Sequence, residues 1–117
     1  MTTTTVDRFF AAMQTQGQSE AEMLNLFTDD AVYVEPFTGA ERSHSGREAV
    51  RAALREGWKQ PLPDMRIQID EVAVDGDVTR ARWTCFSPAL PGGSGRGENT
   101  FTLRGGLIAR LETRFLR

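Results

Sequence analysis

Leu26-Phe27-Thr28-Asp29-Asp30-Ala31-Val32-Tyr33-Val34-Glu35-Pro36 is where this chain changes its period. Upstream, Met23, Leu24 and Phe27 recur at helical spacing, and the helix they mark stops before Asp29-Asp30. From Ala31 to Pro36 the run reads as an apolar strand ending in one carboxylate. The proline ring disfavours the helical region for the residue before it, which holds Glu35 extended. Alternation then puts Tyr33 and Glu35 on one face and Val32 and Val34 on the other. A carboxylate beside an aromatic ring points either into an apolar cavity or into water. In a cavity, desolvation raises its pKa and suits it to proton transfer. In water it is an ordinary strand end.

Ahead of this stretch, Val6, Phe9, Phe10 and Met13 mark a first helix, with Thr4 or Thr5 as N-cap and Gly17 as a stop. Ser19 with Glu22, and later Ser45 with Glu48, carry the capping-box spacing at the start of a second and a third helix. Val50, Ala53, Leu54 and Trp58 form one face of the third, which Pro61 and Pro63 end. Phe37 to Ser45 reads as a polar loop. The rest reads as strands over 65–74, 78–86, 98–104 and 107–116, with Asp75-Gly76-Asp77 and Gly105-Gly106 as hairpin turns. Ile67 and Ile69 share one parity and Val72 and Val74 the other, which predicts a β-bulge near Asp70–Glu71 and a bent sheet. Pro88 to Gly97 reads as a flexible loop. It lacks the Lys-Ser/Thr and the strand-to-helix setting of a phosphate loop.

At 117 residues the chain, 1–117, is expected to be a single domain. Its 14 basic and 16 acidic side chains leave a net charge of −2, which argues against nucleic acid as a partner. No apolar run is long enough to span a membrane, and the start lacks the basic and apolar regions of a signal peptide, so a cytoplasmic location is expected. Cys85 is the one cysteine: a disulfide within the chain and a cysteine-built metal site are excluded, and it reads as a small apolar residue.

Two helices, Leu26 to Ala31, a strand ending Glu35-Pro36, then Ser-Gly-Arg-Glu-Ala-Val (Ser45 to Val50) resemble the nuclear transport factor 2-like superfamily, with its SnoaL-like cyclases and ketosteroid isomerases. Thr79 to Thr84 and Asn99 to Ile108 extend the resemblance over nearly the whole chain. It implies an α+β fold: a cone-shaped, curved antiparallel sheet packed on three N-terminal helices, with an internal pocket, in a homodimer formed through the open sheet face. Among the ketosteroid isomerases the general base is an aspartate before a proline, a place held here by Glu35. A second oxyanion donor lies two residues before a strand phenylalanine, a place held by Asn99 before Phe101. The family's donor tyrosine on the first helix is replaced by Phe9, which has no donor.

Glu35 and Asn99 are therefore the candidate catalytic residues, as proton shuttle and oxyanion donor. Asn99 can equally be a strand-start residue bonded to backbone. Tyr33, Phe9, Trp83, Trp58 and Phe101 are the candidate ligand contacts, and their chemistry suits an apolar, ring-sized molecule. No metal or organic cofactor is implied. His44, the one histidine, reads as a solvated loop residue. Arg80, Arg82, Arg110 and Arg114 alternate along late strands, either as a solvated face paired with Glu112 or as a dimer surface. A non-catalytic binding protein and a protein-partner adaptor of the same fold are the competing functions.

Overall fold

Thr4 starts the first helix in the computed structural model, which describes residues 4–116. Its hydroxyl accepts the Asp7 N–H at 3.0 Å, while the Asp7 carboxylate accepts the Thr4 N–H at 3.3 Å. This reciprocal box satisfies two amides that the helix cannot. The helix, α1 (Thr5–Gln14), buries Val6, Phe9 and Phe10, as their spacing predicts. A short α2 (Glu20–Leu24) follows, then α3 (Arg47–Trp58). Neither is capped by its serine. Ser19 makes no side-chain cap bond, and α3 starts from Gly46 at φ 92 because Ser45 is already committed to a strand.

Six strands, β1 (Phe27–Glu35), β2 (Arg42–Ser45), β3 (Arg66–Asp75), β4 (Val78–Phe86), β5 (Ser94–Arg104) and β6 (Leu107–Leu116), form one sheet. Their order is β2-β1-β6-β5-β4-β3. All neighbours are antiparallel except β1 and β6, which run parallel. Three boundaries differ from the sequence reading. Phe27 belongs to β1, not to the second helix, and is fully buried there. The second half of the expected 37–45 loop is β2, an edge strand held by its ladder to β1; an all-polar run, Arg-Ser-His-Ser, carries no apolar alternation to announce it. The glycine-rich segment becomes strand from Ser94 onward.

The bulge falls where the parity switch puts it. Ile69 pairs with Trp83 and Glu71 with Arg82, leaving Asp70 as the extra residue. Ile67, Ile69, Val72 and Val74 consequently all oppose odd-numbered residues of β4 and share its inner face. Gly105 and Gly106, at φ 60 and 80, make the tight two-residue turn that closes Arg104 against Leu107. Under the bent sheet, Phe9 meets Phe10, Phe27 and Phe101 edge-to-face, with ring centroids 5.3, 6.4 and 5.1 Å apart. This aromatic cluster is the centre of the core. No described helix is long and apolar enough to cross a membrane.

The cap is testable because it is local. Thr4→Ala is expected to lower stability by about 1 kcal/mol, read as a lower urea midpoint at unchanged m-value.

Candidate functional site

Between the inner sheet face and the helices lies a cavity of about 640 Å³, within the range of small-molecule sites. The alternation that sets Tyr33 and Glu35 on one face aims both into it. Glu35 is 2% exposed, so the cavity reading of this carboxylate holds and the open-water reading does not. Phe9, Trp83 and Trp58 line the same space. Phe101 does not. It is fully buried beneath Phe9 and Phe10, with centroids at 5.1 and 5.9 Å, and belongs to the core rather than to the ligand contacts. Phe37 and Phe115, exposed and packed edge-to-face at 5.4 Å, also line the cavity.

Glu35 is not the lone carboxylate the sequence suggests. Its Oε1 accepts the Phe37 backbone N–H at 2.8 Å, a local bond across Pro36. Its Oε2 accepts from Arg42 Nε at 2.9 Å and from His44 Nε2 at 2.9 Å, and Arg42 Nη2 stands 2.7 Å from it in the ion pair. Arg42 and His44 sit two apart on β2, opposite Glu35 and Tyr33 of β1, so strand pairing delivers both to the acid. His44 is therefore a partner of the candidate base, its side chain 18% exposed, and not a solvated loop residue. An ionised carboxylate only accepts, so Nε2 of His44 carries the proton in this contact. Arg42 also reaches Glu56 of α3 at 3.5 Å.

These bonds reverse the expected pKa shift. Burial is the largest single influence on Glu35 and pushes its pKa up, but the bonds from His44, the Phe37 amide and Arg42, with the Arg42 charge, together outweigh it. The carboxyl is held below the ordinary 4.5. Tyr33 moves the other way: burial, then the Glu35 charge, raises its phenol well above the usual 10, with Thr113 and Arg42 partly opposing. Tyr33 stays a neutral hydroxyl. Cys85 lines the cavity, and burial pushes its thiol pKa up, which leaves it a thiol.

Asn99 faces the cavity from β5, buried, with Ala81 and Thr113 as its strand neighbours. Its Oδ1 accepts from Trp83 Nε1 at 3.1 Å and from Thr113 Oγ1 at 2.9 Å. The bonded-to-backbone alternative for its side chain does not hold. One further step of the β1–β6 register sets Glu35 beside Thr113, which pairs with Asn99. Acid and amide thus stand two strands apart, about 10 Å between backbones. Thr113 and Arg42 carry no motif and were not among the candidates. Arg42 and His44 could have been found by reading 42–45 as a strand, since alternation puts both on one face. Among the described residues no group of three or more His, Cys, Asp or Glu side chains comes together to hold a metal ion.

On the opposite face, Arg82 and Arg114 both bind the buried Glu98, with Nε–O distances of 3.0 and 3.1 Å. Glu98 takes the partner role expected of Glu112, which only nears Arg110 at 3.9 Å along its own strand.

Residues 6–111 match the SnoaL-like domain family. The chain belongs to that family. Solved structures agree on its nuclear transport factor 2-like fold. A candidate polyketide cyclase of Sinorhizobium meliloti superposes with TM-score 0.77 at 25% identity, covering 94% of this chain and 93% of that one. A candidate SnoaL-like polyketide cyclase of Jannaschia sp. gives 0.77 at 16%, covering 95% and 82%. A candidate ketosteroid isomerase of Kribbella flavida gives 0.75 at 17%, covering 97% and 76%. No curated protein matches the sequence significantly.

The ion network makes a prediction with a definite sign. Glu35 has a folded pKa below its unfolded value, so its contribution to stability is full above the ordinary carboxyl range and is lost as pH falls through the folded value. Arg42→Ala should raise the Glu35 titration midpoint, followed by carboxyl carbon NMR, above that of the parent protein. Because Arg42 is partly exposed and His44 and the Phe37 amide remain, its removal should lower the urea midpoint at neutral pH without abolishing folding.

Proposed function

We propose that this SnoaL-like protein binds an apolar, ring-sized molecule and moves a proton α to its carbonyl, as isomerase, cyclase or dehydratase, with Glu35 as general base and without a cofactor. The observation that carries this reading is the pairing, in one apolar cavity, of a buried ionised carboxylate with a buried amide. A base must be unprotonated at working pH, and the network around Glu35 keeps it so. Oε2 is crowded by Arg42 and His44, whereas Oε1 holds one bond, from Phe37, and a carboxylate oxygen has room for two. Oε1 is then the oxygen that takes the proton, while Asn99 donates to the developing enolate oxygen.

A second reading, ligand binding without chemistry, rests on two specific features. Phe9 offers no donor where the resemblance calls for a tyrosine, and a carboxylate stabilised by three partners is a weaker base than a desolvated one.

The two separate in one assay. With a β,γ-unsaturated ring ketone as probe, Glu35→Gln should abolish isomerisation and α-proton exchange into deuterated water while binding persists. Asn99→Ala should lose on the order of 100-fold in rate. Exchange that survives Glu35→Gln would remove Glu35 as base, and exchange absent from the parent protein would leave the binding reading. In the catalytic case the acid limb of kcat/KM should lie below pH 4.5, following the lowered Glu35 pKa.

The homodimer is part of the same proposal. The outer sheet face carries the Arg82–Glu98–Arg114 cluster and a shallow cleft of about 490 Å³, and a second copy would cover it. Sedimentation at micromolar concentration should give twice the chain mass, with Arg82→Glu shifting it toward monomer.

A further inference from the structure

Trp83 and Asn99 stand on neighbouring strands, and what joins them is more specific than shared burial. Three facts bear on it. The indole lies over Gly97: a Cβ built there would stand 2.2 Å from the ring's Cζ2 and 2.5 Å from Cη2. Gly97 is the β5 residue paired with Trp83, so the strand itself leaves the space the ring occupies. From that seat Nε1 donates to Asn99 Oδ1, two residues further along β5, and Thr113 Oγ1 donates to the same oxygen.

An indole N–H can only donate. The amide atom facing it must therefore be the oxygen, and the NH₂ group must point elsewhere. Among the described residues that nitrogen has no hydrogen-bond partner, and it is not an enclosed orphan; Asn99 opens onto the cavity. Were the amide free to turn over, the site would present an acceptor half the time and repel a carbonyl oxygen. Two donors on Oδ1 also polarise the amide and strengthen what its N–H groups give.

We infer that Trp83, seated on Gly97, is a positioning residue: it fixes the end of the Asn99 amide that meets the ligand, and so makes the cavity select molecules bearing a hydrogen-bond acceptor. This deepens the reading of Asn99 given above and rests on it, but needs no turnover. Gly97 then has a structural reason within an otherwise loop-like Ser94-Gly95-Arg96-Gly97 run: any side chain there would dislodge the indole.

The test uses two ligands of matched shape, 2-acetylnaphthalene, which accepts a hydrogen bond, and 2-ethylnaphthalene, which does not. Affinities for both are read by calorimetry on the full chain, and their ratio cancels changes in cavity shape. The parent protein should favour the acetyl compound by about tenfold. Trp83→Phe, which keeps a ring and loses the N–H, should bring the ratio close to one, as should Asn99→Ala. The double variant should add no further loss, the signature of two residues acting as one. Gly97→Ala, which keeps the indole N–H but moves it, should do the same and provides a second route if Trp83→Phe fails to fold. The ratio is read from binding without turnover, which separates this inference from the assignment of the base. A ratio near one in the parent protein, a preference that survives Trp83→Phe, or no binding of either compound would overturn it.

Discussion

A charge removed from water must be met by hydrogen bonds or opposite charge, and Glu35 imposes that demand on the whole cavity end of this fold. Burial alone pushes the pKa of a glutamate 2% exposed on the inner face of a sheet upward. Its neighbourhood supplies them from three directions. Pro36 bends the chain so that the Phe37 amide turns back to Oε1, β2 places Arg42 and His44 on Oε2, and α3 brings Glu56 to steady Arg42. β2 is only four residues long. Its place at the sheet edge is inseparable from that carboxylate, since the residues it turns toward β1 are the two that bind it.

The same face divides by rows across the strands. Phe101 pairs with Leu111 and lies under Phe9 and Phe10, where packing closes the core. One row on, Thr113, Asn99 and Ala81 adjoin, and the polar groups meet the cavity. The next row sets Phe115, Gly97 and Trp83 side by side, so the glycine yields its space to a ring. Core, polar pair and aromatic wall thus follow from one sheet whose side chains alternate, bent by the extra residue Asp70. The chemistry proposed for the site uses this order: a carboxylate and an amide separated by a threonine, in a cavity otherwise apolar.

Much of this was legible in the sequence where the signal is local. Both hairpin turns rest on glycines at positive φ, a region glycine enters without a Cβ penalty, and β4 and β6 run over the residues their alternation predicts. The parity switch between Ile69 and Val72 reports the bulge because each face of the strand must stay on its own side. Less legible was anything whose signal is a partner. Ser19 and Ser45 have capping-box spacing but do not cap, since a backbone position, not a spacing, decides whether a hydroxyl reaches an amide. Arg42-Ser43-His44-Ser45 looks like loop because an edge strand with polar side chains needs no apolar period. Phe101 looks like a pocket residue until Phe9 and Phe10 are seen to cover it.

By itself the sequence determined that Tyr33 and Glu35 share a face, that Pro36 ends their strand, and that a bulge near Asp70 bends the late strands. Those are consequences of period and backbone sterics within a few residues. Only the tertiary structure decided that the face is a cavity, that His44 and Arg42 reach Glu35 from nine and seven residues away, and that its pKa falls instead of rising. The sign of that shift is the balance between desolvation and hydrogen bonds, and the bonds come from a strand whose pairing no local pattern announces.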